Sequence, residues 1–236
     1  MDPDDSKLQS NRVDSAVSIA KGVLGTIPFA GSAFSELIGQ VIPNQRLDRI
    51  AAFLNELDKR LMKIEVEMLH QNQYALDLFE DSMYQSVKIL SEDRNKYLAI
   101  FLKKSIDVDS ASYSTRKQLL NILQDVTDDD LDVLISISRY WYQPTARKNL
   151  LRSLTVGQYD SLSDDERNEY EHARVSFGLH IATLSRLNLI HVKYKETDPE
   201  GHNAHIDRDT GLPEVEDCSL TNIGKLLLLN IGASEL

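Results

Sequence analysis

The chain has 236 residues, 42% of them hydrophobic and 27% charged, and a formal net charge of −11. That is the composition of a folded globular chain with room for one large core or two smaller ones, and it excludes a fibrous or wholly disordered protein. Both halves are acidic, so a polyanion is repelled at long range and nucleic-acid binding would need a local basic patch to override the field.

The start, Met1-Asp2-Pro3-Asp4-Asp5, is acidic where a secretory signal needs basic charge followed by an apolar run, and residues 1–11 read as a disordered acidic leader. Val13, Ala16, Val17, Ala20, Val23 and Leu24 then recur at helical spacing. Gly25 to Gly31 is a turn around Pro28, and Ser32 caps a second short helix carrying Phe34, Leu37, Ile38 and Val41, which Pro43 ends. The longest uncharged stretch, Gly22 to Ser35, falls short of the roughly 20 residues a membrane-spanning helix needs, so no transmembrane segment is expected.

Asn44 opens the next helix. Leu47, Ile50, Leu54, Leu57, Leu61, Ile64 and Met68 follow one another at alternating steps of three and four, which predicts one edge of a single long helix. Such an edge needs another helix against it, so these seven residues are the expected helix-assembly seam. The stripe continues less strictly through Leu76, Phe79, Met83, Val87 and Leu90, and the polar tetrad His70–Gln73, which contains no Gly or Pro, leaves open whether the helix breaks there. Two further helices are expected around Tyr97–Leu102 and Leu119–Val126, with Asp107 to Ser114 a polar loop between them. The spacing thus predicts a helical bundle over residues 12–126.

Thr127-Asp128-Asp129-Asp130 is a helix start, with acidic groups at the positive end of the dipole. That reading also accounts for the three aspartates without magnesium. Leu131, Leu134, Ile135 and Tyr140 lie on this helix, Pro144 stops it, and Ala146–Leu154 forms another. Ser163-Asp164-Asp165-Glu166 opens a long helix to about Leu187, with Tyr170, Ala173, Phe177, Ile181, Leu184 and Leu187 on its apolar side. The period then drops to two. Leu189–Tyr194 and Val215–Leu220 read as strands joined by the polar loop Glu196–Pro213, and Thr221 caps a last helix, Asn222–Leu229. The segments LSRLNLI (Leu184–Ile190) and LTNIGKLL (Leu220–Leu227) resemble the recognition-helix end and closing helix of a winged-helix module, placed here over residues 127–236. The expected fold is therefore mainly α: a helical bundle with a long central helix, then a winged-helix-like α+β module with one β-hairpin.

Little chemistry stands out. His202, His205, Asp207 and Asp209 share the hairpin loop, with His191 and Cys218 on the flanking strands, but the spacing is loose and no second cysteine joins them, so no metal site is expected. Cys218 being the single cysteine, no intrachain disulfide forms, and a reducing cytoplasm is the expected location. Arg167, Arg174, Arg186, Lys193 and Lys195 are the residues that would contact nucleic acid, yet Asp164, Asp165, Glu166, Glu169 and Glu171 crowd the same helix. Trp141, with Tyr140 and Tyr142, suits either an interface anchor or internal packing. No glycine-rich phosphate loop, Ser/His/Asp set or paired-carboxylate pocket is visible, so no catalytic residues and no cofactor are expected.

The runs ELIGQVIPNQRLDRIAAFLNELDKRL (Glu36–Leu61), YLAIFLKKSI and LLNILQDVTDDDLDVL within Arg94–Leu134 are similar in pattern to uncharacterised bacterial proteins near the abortive-infection alpha group. That resemblance implies a bacterial or phage-borne cytoplasmic protein acting in phage defence, and it supplies no catalytic residues. The function expected is that of a non-enzymatic, self-associating protein-interaction or regulatory protein. The alternatives are a winged-helix DNA-binding regulator, and a membrane-perturbing effector that uses the Gly22–Val41 hairpin at a bilayer surface.

Overall fold

A computed structural model describes residues 44–139, 163–195, 206 and 214–233. The acidic leader, the Gly22–Val41 hairpin, Tyr140, Trp141 and Tyr142, the Ala146–Leu154 helix and the loop positions His202, His205, Asp207 and Asp209 lie outside the described residues. The chain is mainly helical with one small antiparallel hairpin near its C-terminal end. It divides into two compact units, one running to Gln124 and including Asn230–Gly232, the other running from Asp125 to Leu229 and including Ala233.

The first unit holds α1 (Asn44–Asp58), α2 (Lys63–Gln71), α3 (Gln73–Ser86), α4 (Glu92–Lys103) and α5 (Ser110–Asp125). α1 packs on α4 and α3, and α3 packs on α2 and α4. Ile50, Phe53, Leu54 and Leu57 from α1 meet Leu78, Phe79 and Met83 from α3 and Leu98, Phe101 and Leu102 from α4 in a fully buried core. Each such side chain contributes roughly 1.5–3 kcal/mol relative to an exposed one.

The Leu47–Met68 stretch that spacing predicts as one helix is two, α1 and α2, and a further break at the polar tetrad separates α2 from α3. At the end of α1 the Arg60 and Leu61 N–H groups close on the Leu57 carbonyl at 2.9 and 3.1 Å, the Arg60 guanidinium donates to the Glu56 carbonyl at 2.6 Å, and just beyond the helix the Lys103 ammonium donates to the Arg60 carbonyl at 2.6 Å. α2 then starts afresh, with the Met62 N–H donating to the Glu65 carboxylate at 2.8 Å. The second break is at Asn72. Its Oδ1 accepts from the Tyr74 and Ala75 N–H groups that open α3, while its Nδ2 donates to the Ile106 and Val108 carbonyls at 3.0 and 2.8 Å. No Gly or Pro is needed for either break.

α5 begins inside the segment read as a loop. Asp109 is its cap, accepting from the Ser112 N–H at 2.9 Å while the Ser112 hydroxyl donates back to the Asp109 carboxylate. The polar run Ser110–Ser114 is thus the solvent-facing first turn of a helix. α5 is tied to α3 by charge: Lys117 meets Asp77 at 2.6 Å and Asp81 at 2.7 Å, and the Tyr113 hydroxyl donates to Asp77 at 2.7 Å. Burial opposes the charge on Lys117, but the two carboxylates outweigh it and hold the ammonium well above its ordinary value.

The second unit holds α6 (Asp128–Arg139), α7 (Asp164–Arg186), β1 (Ile190–Tyr194), β2 (Val215–Leu220) and most of α8 (Asn222–Ile231). The strands pair antiparallel with Ile190 opposite Leu220 and Val192 opposite Cys218, and an irregularity between Lys193 and Tyr194. Ile190, Cys218 and Leu220 point to the interior with Leu131, Leu134, Phe177, Ile181 and Leu184, while Lys193 of β1 faces out. Cys218 is a buried thiol. None of the described helices is long and apolar enough to cross a membrane.

Candidate functional site

The second unit's frame is set by short local motifs. Thr127 and Asp130 cap α6 reciprocally: the Thr127 hydroxyl accepts from the Asp130 N–H at 3.1 Å, and Asp130 Oδ2 accepts from the Thr127 N–H at 2.7 Å. At the far end of α7, Asn188 takes φ of 61°, the left-handed turn that ends a helix and starts β1. Thr221 locks α8 onto that turn, donating to the Asn188 and Leu189 carbonyls and accepting from the Gly224 N–H at 3.0 Å. A Cβ on Gly224 would sit 2.2 Å from the Leu189 carbonyl oxygen, so only glycine permits this approach.

α7 is amphipathic in an unusual way. Phe177, Ile181 and Leu184 are buried, as the sequence predicts, and α7 packs through them on α6 and β1. On the opposite side, His172, Val175, Leu179, Ala182 and Arg186 are all exposed, at steps of three, four, three and four. Val175 is 38% exposed and Leu179 63%. This outward stripe has the spacing of a helix-pairing seam and nothing among the described residues covers it. The signal was present in the sequence, interleaved two residues out of phase with the inner stripe.

Arg167 and Arg174 lie on α7, and Arg186 is exposed at its end. Lys193 is paired with Glu216 at 2.6 Å and Lys195 with Glu214, each across the hairpin, so the charges the strands would offer a phosphate are compensated by the neighbouring strand.

The expected helix-assembly seam is divided between two fates. Ile50, Leu54 and Leu57 are buried within the first unit and Leu61 is half-buried, whereas Ile64 is 58% and Met68 40% exposed on α2. Leu47 lies on the first turn of α1. The buried half is thus covered by helices of its own chain.

One arrangement joins residues that no sequence spacing links. His180, half-buried on α7, places Nδ1 2.7 Å from Oδ1 of Asp130, which is buried at the start of α6. Its Nε2 lies 3.2 Å from the hydroxyl of Ser176, one turn earlier on α7. A carboxylate oxygen only accepts, so in the neutral imidazole Nδ1 carries the proton and Nε2 is the acceptor for the serine hydroxyl. Asp130 uses its other oxygen for the Thr127 N–H and is fixed from both sides. The relevant signal, a Ser-x-x-x-His pair on one helix face, is too common to single out before Asp130 is placed beside it. Among the described residues no group of three His, Cys, Asp or Glu could hold a metal ion. No family model, curated protein or solved structure matches the chain.

Proposed function

We propose that the protein is a self-associating interaction protein, and that two copies pair through the outward stripe of α7. The observation that carries this reading is the exposed row Val175, Leu179 and Ala182 at helix-pairing steps on a helix whose other side is already buried. The sequence of α7 runs from an acidic beginning, Asp164-Asp165-Glu166, to Arg186 at its end, so an antiparallel pair brings opposite charges together and closes with twofold symmetry. Ala182 is small enough for close approach. The order of helices, hairpin and closing helix in the second unit supports a winged-helix-like module, here used for protein contact. The cross-hairpin pairing of Lys193 and Lys195 favours that use over DNA binding. The pattern-level likeness to the abortive-infection alpha group supports a role in bacterial phage defence, in which assembly would be the active state.

Sedimentation of the full chain is the test. The unaltered protein is expected to sediment as a dimer and Leu179→Glu as a folded monomer, because a carboxylate in the pairing seam cannot be desolvated there. A monomeric unaltered chain, or a Leu179→Glu dimer, removes α7 as the pairing element. Salt-sensitive retention on non-specific DNA by the unaltered chain would move the reading to the nucleic-acid alternative.

A further inference from the structure

The geometry points to a nucleophilic site at Ser176, activated by His180 and Asp130, that accepts the acyl group of small apolar carboxylic esters. Three features carry it. The hydroxyl, the imidazole and the buried carboxylate form an unbroken chain of hydrogen bonds, 3.2 Å and 2.7 Å long. The direction of that chain is settled by Asp130, whose oxygens both accept, so the imidazole nitrogen facing Ser176 is the one that can take a proton. Ser176 is exposed, and Val175 and Leu179, exposed beside it on the same helix, give an acyl chain an apolar surface to lie on.

The step balances without any other reagent. Ser176 Oγ attacks the ester carbonyl carbon as its proton passes to His180 Nε2, and Asp130 stabilises the imidazolium through the Nδ1 hydrogen bond. The carbon–oxygen bond to the alcohol then breaks, the departing oxygen takes the proton from Nε2, and Ser176 is left acylated. Water attacks that ester, gives its proton to Nε2, and the acid leaves as Ser176 recovers the proton. Ester and water become acid and alcohol. Thr127, through its N–H on Asp130, is a positioning residue.

Two probes test this on the full chain: a fluorophosphonate that marks activated serines, mapped by peptide sequencing, and p-nitrophenyl butyrate, whose release of nitrophenolate is followed by absorbance. Marking at Ser176 is expected, with Ser176→Ala losing it and His180→Gln slowing both reactions by about a hundredfold, the size of a lost general base. Ser176→Ala removes only an exposed hydroxyl and His180 is half-buried, so both variants are expected to keep their helical circular dichroism. The same probes are run on Ala182→Glu, a change in the exposed pairing row but outside the acyl surface, so that a hydroxyl covered by a second copy and an inert one give different answers. Marking of Ser176 in that variant alone still supports the site. No marking in either chain, marking at other serines only, or rates that His180→Gln leaves unchanged overturn it.

Discussion

The two units end their helices by different means. In the second, the caps join residues a few positions apart, Thr127 with Asp130 and Thr221 with Gly224, and Thr221 also reaches back to the Asn188 and Leu189 carbonyls. In the first, local caps such as Met62 with Glu65 and Asp109 with Ser112 are joined by carbonyls that side chains from far along the sequence meet. Arg49 donates to the Val87 carbonyl, Gln85 to Leu120, Arg94 to Leu123, Lys103 to Arg60, and Asn72 to Ile106 and Val108. Both solutions satisfy the orphan carbonyls and N–H groups that every helix leaves. The local one is written in the sequence; the distant one exists only once the bundle has formed, so each end also acts as a tie between helices.

The sharpest way to break this contrast is Gly224→Ala. A methyl group there meets the Leu189 carbonyl oxygen at 2.2 Å, which neither backbone can yield without opening the Thr221 closure. The loss is expected to be about 3 kcal/mol, at the upper end of overpacking, measured by urea unfolding. Hydrogen exchange should show the loss of protection concentrated in α8 and the Asn188–Leu189 turn. A change below about 1 kcal/mol would mean that the closure is plastic and the local motif is not what holds the unit.

Asn72 is the matching test of the first unit. Asn72→Ala removes the cap of α3 and leaves two carbonyls without their donor, an expected cost of about 2 kcal/mol. Asn72→Ser restores an acceptor for the helix N–H groups but cannot reach Ile106 and Val108, so it should recover about 1 kcal/mol of that loss. Full recovery by serine would show that the long-range ties are ornamental and would erase the difference between the units.

That difference also explains what could be read in advance. The start of α6, the period change at β1, the strand limits and the closing helix were all visible, because each depends on neighbours in sequence. The polar tetrad His70–Gln73 marked the place of the break at Asn72 without deciding it, and the break at Leu61–Met62 left no mark, since an uninterrupted apolar period of three and four says which face a residue occupies and nothing about where carbonyls find other donors. Ile50 and Ile64 illustrate the limit: they hold equivalent places in one stripe, yet the first is fully buried and the second 58% exposed. The same reasoning hid α5's first turn, whose polar residues have no inward face to display. It hid the Ser176, His180 and Asp130 chain as well, because a 50-residue separation between His180 and Asp130 leaves no spacing to read.

The smallest effect expected isolates the charge cluster that ties α5 to α3, a part-buried contact of the first unit. Burial pushes the Asp77 carboxyl up, but the Lys117 ammonium and the Tyr113 hydroxyl outweigh burial and hold it below the ordinary 3.8. Its folded value lies under its unfolded one, so its contribution is complete above 3.8 and is lost as the pH falls through the folded value. Glu80 has the opposite sign: burial first, then the charges of Asp77 and Asp81, raise it above 4.5. Its ionisation costs stability near neutrality, and that cost is relieved as the pH falls through its folded value towards 4.5. Acidification should therefore first raise and then lower the cluster's contribution, each limb staying under about 1 kcal/mol because the Asp77 side chain is well exposed and screened. Urea midpoints measured down the pH scale check this: Glu80→Gln is expected to remove the rise and Asp77→Asn the fall. If the acid limb persists in Asp77→Asn, the carboxylate that stabilises the first unit is another one, and the tie between α3 and α5 rests on Asp81 and Lys117 without it.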